Sequence, residues 1–174
     1  MTLAWKHPFT CICASPSGCG KTIFVAKFLE NLSCMIDHPI NDIVWCCSPG
    51  SEPNISSARA RFQREVPSFE DSSATPTIHN IFYQSAQSRN ISLNAKYIVV
   101  FKNPRDRLQF GHLARQVYPE KSQELERVYK ESTKEPFGYL VLDLGQDTDN
   151  RFRFRTKIFT EDETTTVFMH VNDE

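Results

Sequence analysis

Short, dense apolar runs alternate with longer amphipathic stretches along the chain, and that rhythm predicts an α/β protein. FTCICA, Phe9 to Ala14, is an apolar run of β-compatible residues and reads as a buried strand. IFVAKFLENL then places Phe24, Phe28 and Leu32 at helical spacing, which predicts a helix from about Gly20 to Leu32. IVWCCS, Ile43 to Ser48, is a second buried strand, apolar on both faces as parallel-sheet strands are. Residues 50–76 read as irregular: Pro53, Pro67 and Pro76 interrupt a serine-rich stretch in which only SSARARFQREV suits a helix. TIHNIFYQ, Thr77 to Gln84, predicts a short strand running into a loop, and KYIVVFK, Lys96 to Lys102, a further strand.

The second half keeps the alternation. In NPRDRLQFGHLARQVYP, Asn103 suits a helix cap, Pro104 the first helical position, and Phe110, Leu113, Ala114 and Val117 make an apolar face. Pro119 ends that helix, and a second one, from Lys121 to about Glu131, buries Leu125, Val128 and Tyr129. GYLVLDL, Gly138 to Leu144, is a strand; the polar turn GQDTDN joins it to RFRFRTKIF, which alternates like a strand. An acidic tail, 160–174, holds a late strand at Thr166 to Val171. The expected architecture is one domain over residues 1–174: a mainly parallel sheet flanked by helices, with a C-terminal antiparallel hairpin at its edge.

One loop carries chemistry. SPSGCGKT, Ser15 to Thr22, lies between the first apolar strand and the first amphipathic helix. Gly18 and Gly20 let the backbone turn so that its N–H groups face phosphate oxygens, and the following helix directs its positive end at the same anion. Lys21 reaches the β- and γ-phosphates, and the Thr22 hydroxyl suits a magnesium shell. Ser15, Pro16, Ser17, Gly18, Cys19, Gly20, Lys21 and Thr22 are therefore the expected nucleotide-binding residues, with Mg2+ beside the phosphates; the loop alone does not decide ATP against GTP. The pattern G-x-x-x-x-G-K-[ST] is met except at its first glycine, where Ser15 stands. No NKxD string for guanine occurs. A P-loop enzyme also needs an acid after a second apolar strand. YLVLD ends at Asp143, which is either a weak magnesium-site candidate or a structural strand-end aspartate.

Composition narrows the classes. The chain has 174 residues, a net charge of -1 and 40% hydrophobic residues, enough for a real core and far from a basic nucleic-acid coat. No run approaches the ~20 apolar residues of a membrane span. MTLAWKHPFT lacks a signal-peptide pattern. The six cysteines include no CxxC pair, and Cys11, Cys13, Cys46 and Cys47 lie in apolar runs, which fits reduced, buried thiols in an intracellular protein. The basic residues Arg151, Arg153, Arg155 and Lys157 recur on alternate positions, either to meet DNA phosphates or to guard an edge strand.

SPSGCGKTIF, RNISLNAKYIVVFKNPRDRLQ, HLARQVYP, GYLVLDL and FRFRTKIF together resemble the FtsK–HerA superfamily of viral DNA-packaging ATPases, of the Maverick/Polinton, poxvirus-like type. The resemblance covers most of the chain. It implies a P-loop NTPase fold of RecA/ASCE-like kind, and ATP hydrolysis that drives double-stranded DNA into a capsid through a homo-oligomeric ring. It implies an intracellular place, in the host nucleus or cytoplasm, or a virion. On it, Gly18 to Thr22 are the Walker A loop and Lys21 is catalytic. His79 stands at the polar sensor position with Asn80 beside it. Arg105 is a candidate for stabilising γ-phosphate charge, or else a first-turn residue with local partners. The family's Walker B strand has no counterpart here: SFEDSSATP runs almost directly into TIHNIFYQ, so one central β-α unit is missing. The expected function is that of an ATP-binding packaging ATPase coupling hydrolysis to DNA translocation, with hydrolysis either kept or impaired by the missing unit. The other reading is a nucleotide-binding or oligomerisation protein without ATPase activity.

Overall fold

The computed structural model describes residues 3–14, 16–40, 43–46, 60–63, 77–79, 94–104, 107–162 and 164–169, with backbone alone at 43–46, 60–63, 77–79 and 107. The elements run β1 (Thr10–Ala14), α1 (Lys21–Glu30), α2 (Leu32–Met35), β2 (Ile43–Cys46), β3 (Ala60–Gln63), β4 (Thr77–His79), β5 (Tyr97–Phe101), α3 (Arg107–Val117), α4 (Ser122–Ser132), β6 (Tyr139–Asp143), β7 (Phe154–Thr156) and β8 (Thr166–Phe168). The main sheet has the order β4-β1-β5-β6-β7-β8.

Side-chain alternation along the central strands divides the core into two layers. Cys11, Cys13, Tyr97, Val99, Phe101 and Val141 face one way and pack with Phe24, Val25, Phe28 and Leu29 of α1. Ile12, Ile98, Val100, Leu140 and Leu142 face the other way, onto Phe110 and Ala114 of α3 and Leu125 and Tyr129 of α4. Trp5 stacks on Tyr97 with ring centroids 4.1 Å apart and closes the α1 layer. On the other face Phe110 and Tyr129 stack at 4.0 Å, and Tyr129 donates from its hydroxyl to the Phe101 carbonyl at 2.9 Å. The buried thiols expected at Cys11 and Cys13 are there, and burial pushes the Cys11 thiol well up. No helix among the described residues is long and apolar enough to cross a membrane.

The sheet departs from the expected mainly parallel P-loop NTPase sheet. It is mixed: β4, β1 and β5 are parallel, but β5–β6, β6–β7 and β7–β8 are all antiparallel. The cause lies in the β5–β6 connection. A single helix between strands returns the chain to its starting end and makes the next strand parallel. Here α3 and α4 both intervene, so the chain comes back to the end it left. The Lys102 amide donates to the Gly138 carbonyl at 3.1 Å, which places the start of β6 beside the end of β5. β6 must then run backwards. The expected antiparallel pairing of β6 with the next strand holds, but it continues an antiparallel half of the sheet.

Three further expectations change. β2 pairs in parallel with β3, and among the described residues neither joins the main sheet; β4 sits beside β1 instead. Residues 60–63, expected within a helix, form β3, where strand pairing overrides local propensity. Of RFRFRTKIF only Phe154–Thr156 is strand. Asp149 accepts from the Arg151 amide at 2.9 Å and winds 150–152 into a 3-10 turn, while Lys157 takes a positive φ of 53°. Past Thr156 the chain docks on α1 through Lys27–Glu161 at 2.6 Å before β8 extends the sheet.

Candidate phosphate-binding site

The loop leaves the end of β1 and enters α1 at Lys21. Both glycines hold left-handed conformations, Gly18 at φ 81° and Gly20 at φ 98°. A side-chain-bearing residue pays about 1–2 kcal/mol there, so the spacing of glycines in the sequence matches the spacing of backbone reversals. Gly20 occupies the N-cap position and brings no side chain to the first-turn amides of α1, and that turn contains no acid. The positive end of the helix is thus left to face an anion. Lys21 folds back over the loop, donating to the Pro16 carbonyl at 2.8 Å, with the Cys19 thiol also bonded to that carbonyl at 2.7 Å. The ammonium also reaches the Cys19 sulfur at 3.9 Å, so it lies folded over the loop. Thr22 is exposed in the same turn.

A cleft of about 630 Å³ opens beside the loop, lined by Pro16, Ser17, Gly18, Cys19, Lys102, Pro104 and Phe137. That volume lies within the range of small-ligand sites, ~300–1,000 Å³. Lys102 and Phe137 are cleft residues that sequence reasoning missed. Lys102 directly follows β5, the parallel neighbour of β1, and ligands in α/β sheets collect at the carboxyl ends of adjacent parallel strands. Phe137 reaches the cleft because the two-helix connection returns the chain there. It carried no motif; the glycine beside it, Gly138, is a punctuation signal.

The other expected site residues are dispersed. His79 ends β4 in the row of Ile12, on the side of the sheet that leads to the loop. Ser15, Asn80 and Arg105 lie outside the described residues, as does the junction between 64 and 76. Asp143 is the clearest separation. It shares a row with Tyr97 and Cys11, three residues before Ala14, and so sits about 10 Å down the strands from the loop. Its carboxylate accepts from Arg155 Nη2 at 2.8 Å, the Thr148 hydroxyl at 2.9 Å and the Gly145 amide at 3.1 Å. The Asp143 and Arg155 side chains are only 7% and 3% exposed, and burial draws the Arg155 guanidinium pKa down against the pull of Asp143. The structural reading of Asp143 accounts for every one of these contacts; at the far end of the sheet it does not face Thr22.

Magnesium is offered little by the described residues. Thr22 supplies one hydroxyl, no carboxylate lines the cleft, and no cluster of His, Cys, Asp and Glu able to hold a metal occurs among them. The donor set does not amount to a protein-built metal site. The basic positions are also not one face: Arg151 pairs with Asp149 at 2.7 Å, Arg153 donates to the Asp143 and Gly145 carbonyls at 3.1 and 3.0 Å, and Arg155 is buried.

No family model, curated protein or solved structure matches the chain.

Proposed function

We propose that the chain binds the phosphates of ATP at the Ser15–Thr22 loop. The observation that carries this reading is the pair of left-handed glycines set immediately before α1, at the carboxyl end of β1. The loop amides and the helix N-terminus receive the anion, and Lys21 turns from the Pro16 carbonyl to the outer phosphates. Magnesium, when it accompanies the nucleotide, is held chiefly by phosphates and water, with Thr22 adding a hydroxyl.

By its resemblance, the chain is a relative of viral genome-packaging ATPases acting inside a cell or virion. Double-stranded DNA and further copies of itself in a ring are its partners. Binding with impaired hydrolysis is the form we favour. The position of Asp143, engaged by Arg155 at the far end of the sheet, supports it, because this strand-end acid, which follows the apolar run YLVL, is then spent on structure.

Calorimetric titration with ATP, with and without magnesium, tests the reading, together with a phosphate-release assay. We expect saturable binding that Lys21→Ala weakens about 10–100-fold, the range for losing a charge-assisted contact. Turnover should stay far below that of a motor. Absence of saturable binding at millimolar nucleotide, or an unaltered affinity in Lys21→Ala, overturns the proposal. Fast turnover abolished by Lys21→Ala would restore the motor reading over the binding one.

A further inference from the structure

Phe137 is placed by unusual means. It is a bulky residue at φ 61°, and it is 62% exposed. Left-handed backbone at an exposed phenylalanine persists only where its neighbours fix the chain. They do so here on both sides. Gly138 has no room for a side chain: a Cβ would stand 2.7 Å from the Ser132 carbonyl oxygen and 2.9 Å from the Thr133 Cα. The Gly138 amide donates to the Glu135 carbonyl at 3.1 Å, and its carbonyl accepts from the Lys102 amide at 3.1 Å. Lys102 Nζ donates to the Lys134 carbonyl at 2.8 Å and ties the same turn to the end of β5. The clamped turn presents the Phe137 ring to the loop, close enough that a Cβ on Gly20 would stand 3.3 Å from Phe137 Cδ1.

The cleft therefore has two unlike walls. One is the glycine loop from Pro16 to Cys19. The other is Phe137 with the exposed ring of Pro104, and Lys102 also lines the cleft. A flat aromatic group joined to an anionic tail matches both walls at once. We propose that Phe137 is the stacking platform for the base of the nucleotide whose phosphates occupy the loop; this rests on the phosphate-binding reading above. Stacking on a phenylalanine face is tolerant of base identity, so the platform adds affinity for nucleotides over simple polyphosphates and discriminates little between purines.

The test compares ATP with inorganic tripolyphosphate, which has the tail and no base, on the wild-type chain and on Phe137→Ala, Phe137→Gly and Phe137→Trp. We expect Phe137→Ala to weaken ATP about ten-fold and leave tripolyphosphate unchanged. Phe137→Gly, which suits the positive φ, should behave the same way, so that any effect of relieved strain is separated from loss of the ring. Phe137→Trp should retain ATP affinity, with indole fluorescence that responds to ATP and not to tripolyphosphate. Equal affinities for ATP in wild type and Phe137→Ala overturn the platform and leave the phosphate site standing. Equal weakening of both ligands, or a change of oligomeric state in Phe137→Ala, also overturns it, assigning the ring to loop support or to contact with a second copy. If the wild-type chain binds neither ligand, the phosphate-binding reading itself has failed and the platform falls with it.

Discussion

Gly18 and Gly20 share a left-handed backbone but not the same surroundings. A methyl group at Gly18 would meet nothing within 4 Å, whereas at Gly20 it would press on the Phe137 ring. The two substitutions therefore separate backbone strain from crowding. Gly18→Ala should cost about 1 kcal/mol of stability, and Gly20→Ala about 2 kcal/mol with a larger loss of ATP affinity, as measured by urea denaturation and calorimetry. Indistinguishable behaviour of the two variants would show that the Phe137 contact does not constrain the loop. At this scale much was legible in the sequence. Two glycines between an apolar strand and a helix were read as the places where the backbone turns, and both hold a positive φ. Phe137 was not legible, because its conformation is set by Gly138 and Lys102, which meet it only after two helices have folded between them.

At the scale of elements, strand and helix positions were readable for β1, α1, β5, α3, α4 and β6, since each carries a complete apolar pattern. Strand direction was misjudged. Two helices in one connection were visible in the sequence, and their parity dictates an antiparallel β6. The same reversal separates the two readings of Asp143: at the end of a parallel strand it would have stood near the loop, but at the end of a reversed strand it stands opposite. There it locks β6 to β7 through Arg155. Asp143→Asn should lower stability by about 3 kcal/mol, because it leaves a buried guanidinium uncompensated, while ATP affinity stays within two-fold. Unfolding curves and calorimetry on the same preparation decide it. A large loss of ATP affinity in a folded Asp143→Asn chain would return the residue to the site.

At the scale of the molecule, buried tyrosines couple the core to alkaline pH. Burial pushes the Tyr97 hydroxyl up from 10.0 to about 12, outweighing the Lys6 amide that donates to it, and burial raises Tyr139 further still. A raised folded-state pKa means that the native chain keeps a proton the unfolded chain has already released. The contribution is complete below pH 10 and is lost progressively as pH climbs toward 12. Urea midpoints should therefore fall steadily above pH 10, and Tyr97→Phe should flatten that fall. A midpoint independent of pH across this window would show that Tyr97 ionises as freely in the native protein as in the unfolded chain.

The reversal at β6 gives the molecule two unlike poles. One collects the glycine loop, Lys102 and Phe137; the other collects Asp143, Arg155, Thr148 and the Lys6–Asp147 pair. Rigid strands separate the two, and substitutions at sites that share no partners combine additively. Substitutions at the Asp143 pole should therefore act on stability alone, whereas the loop glycines couple stability to the cleft they border.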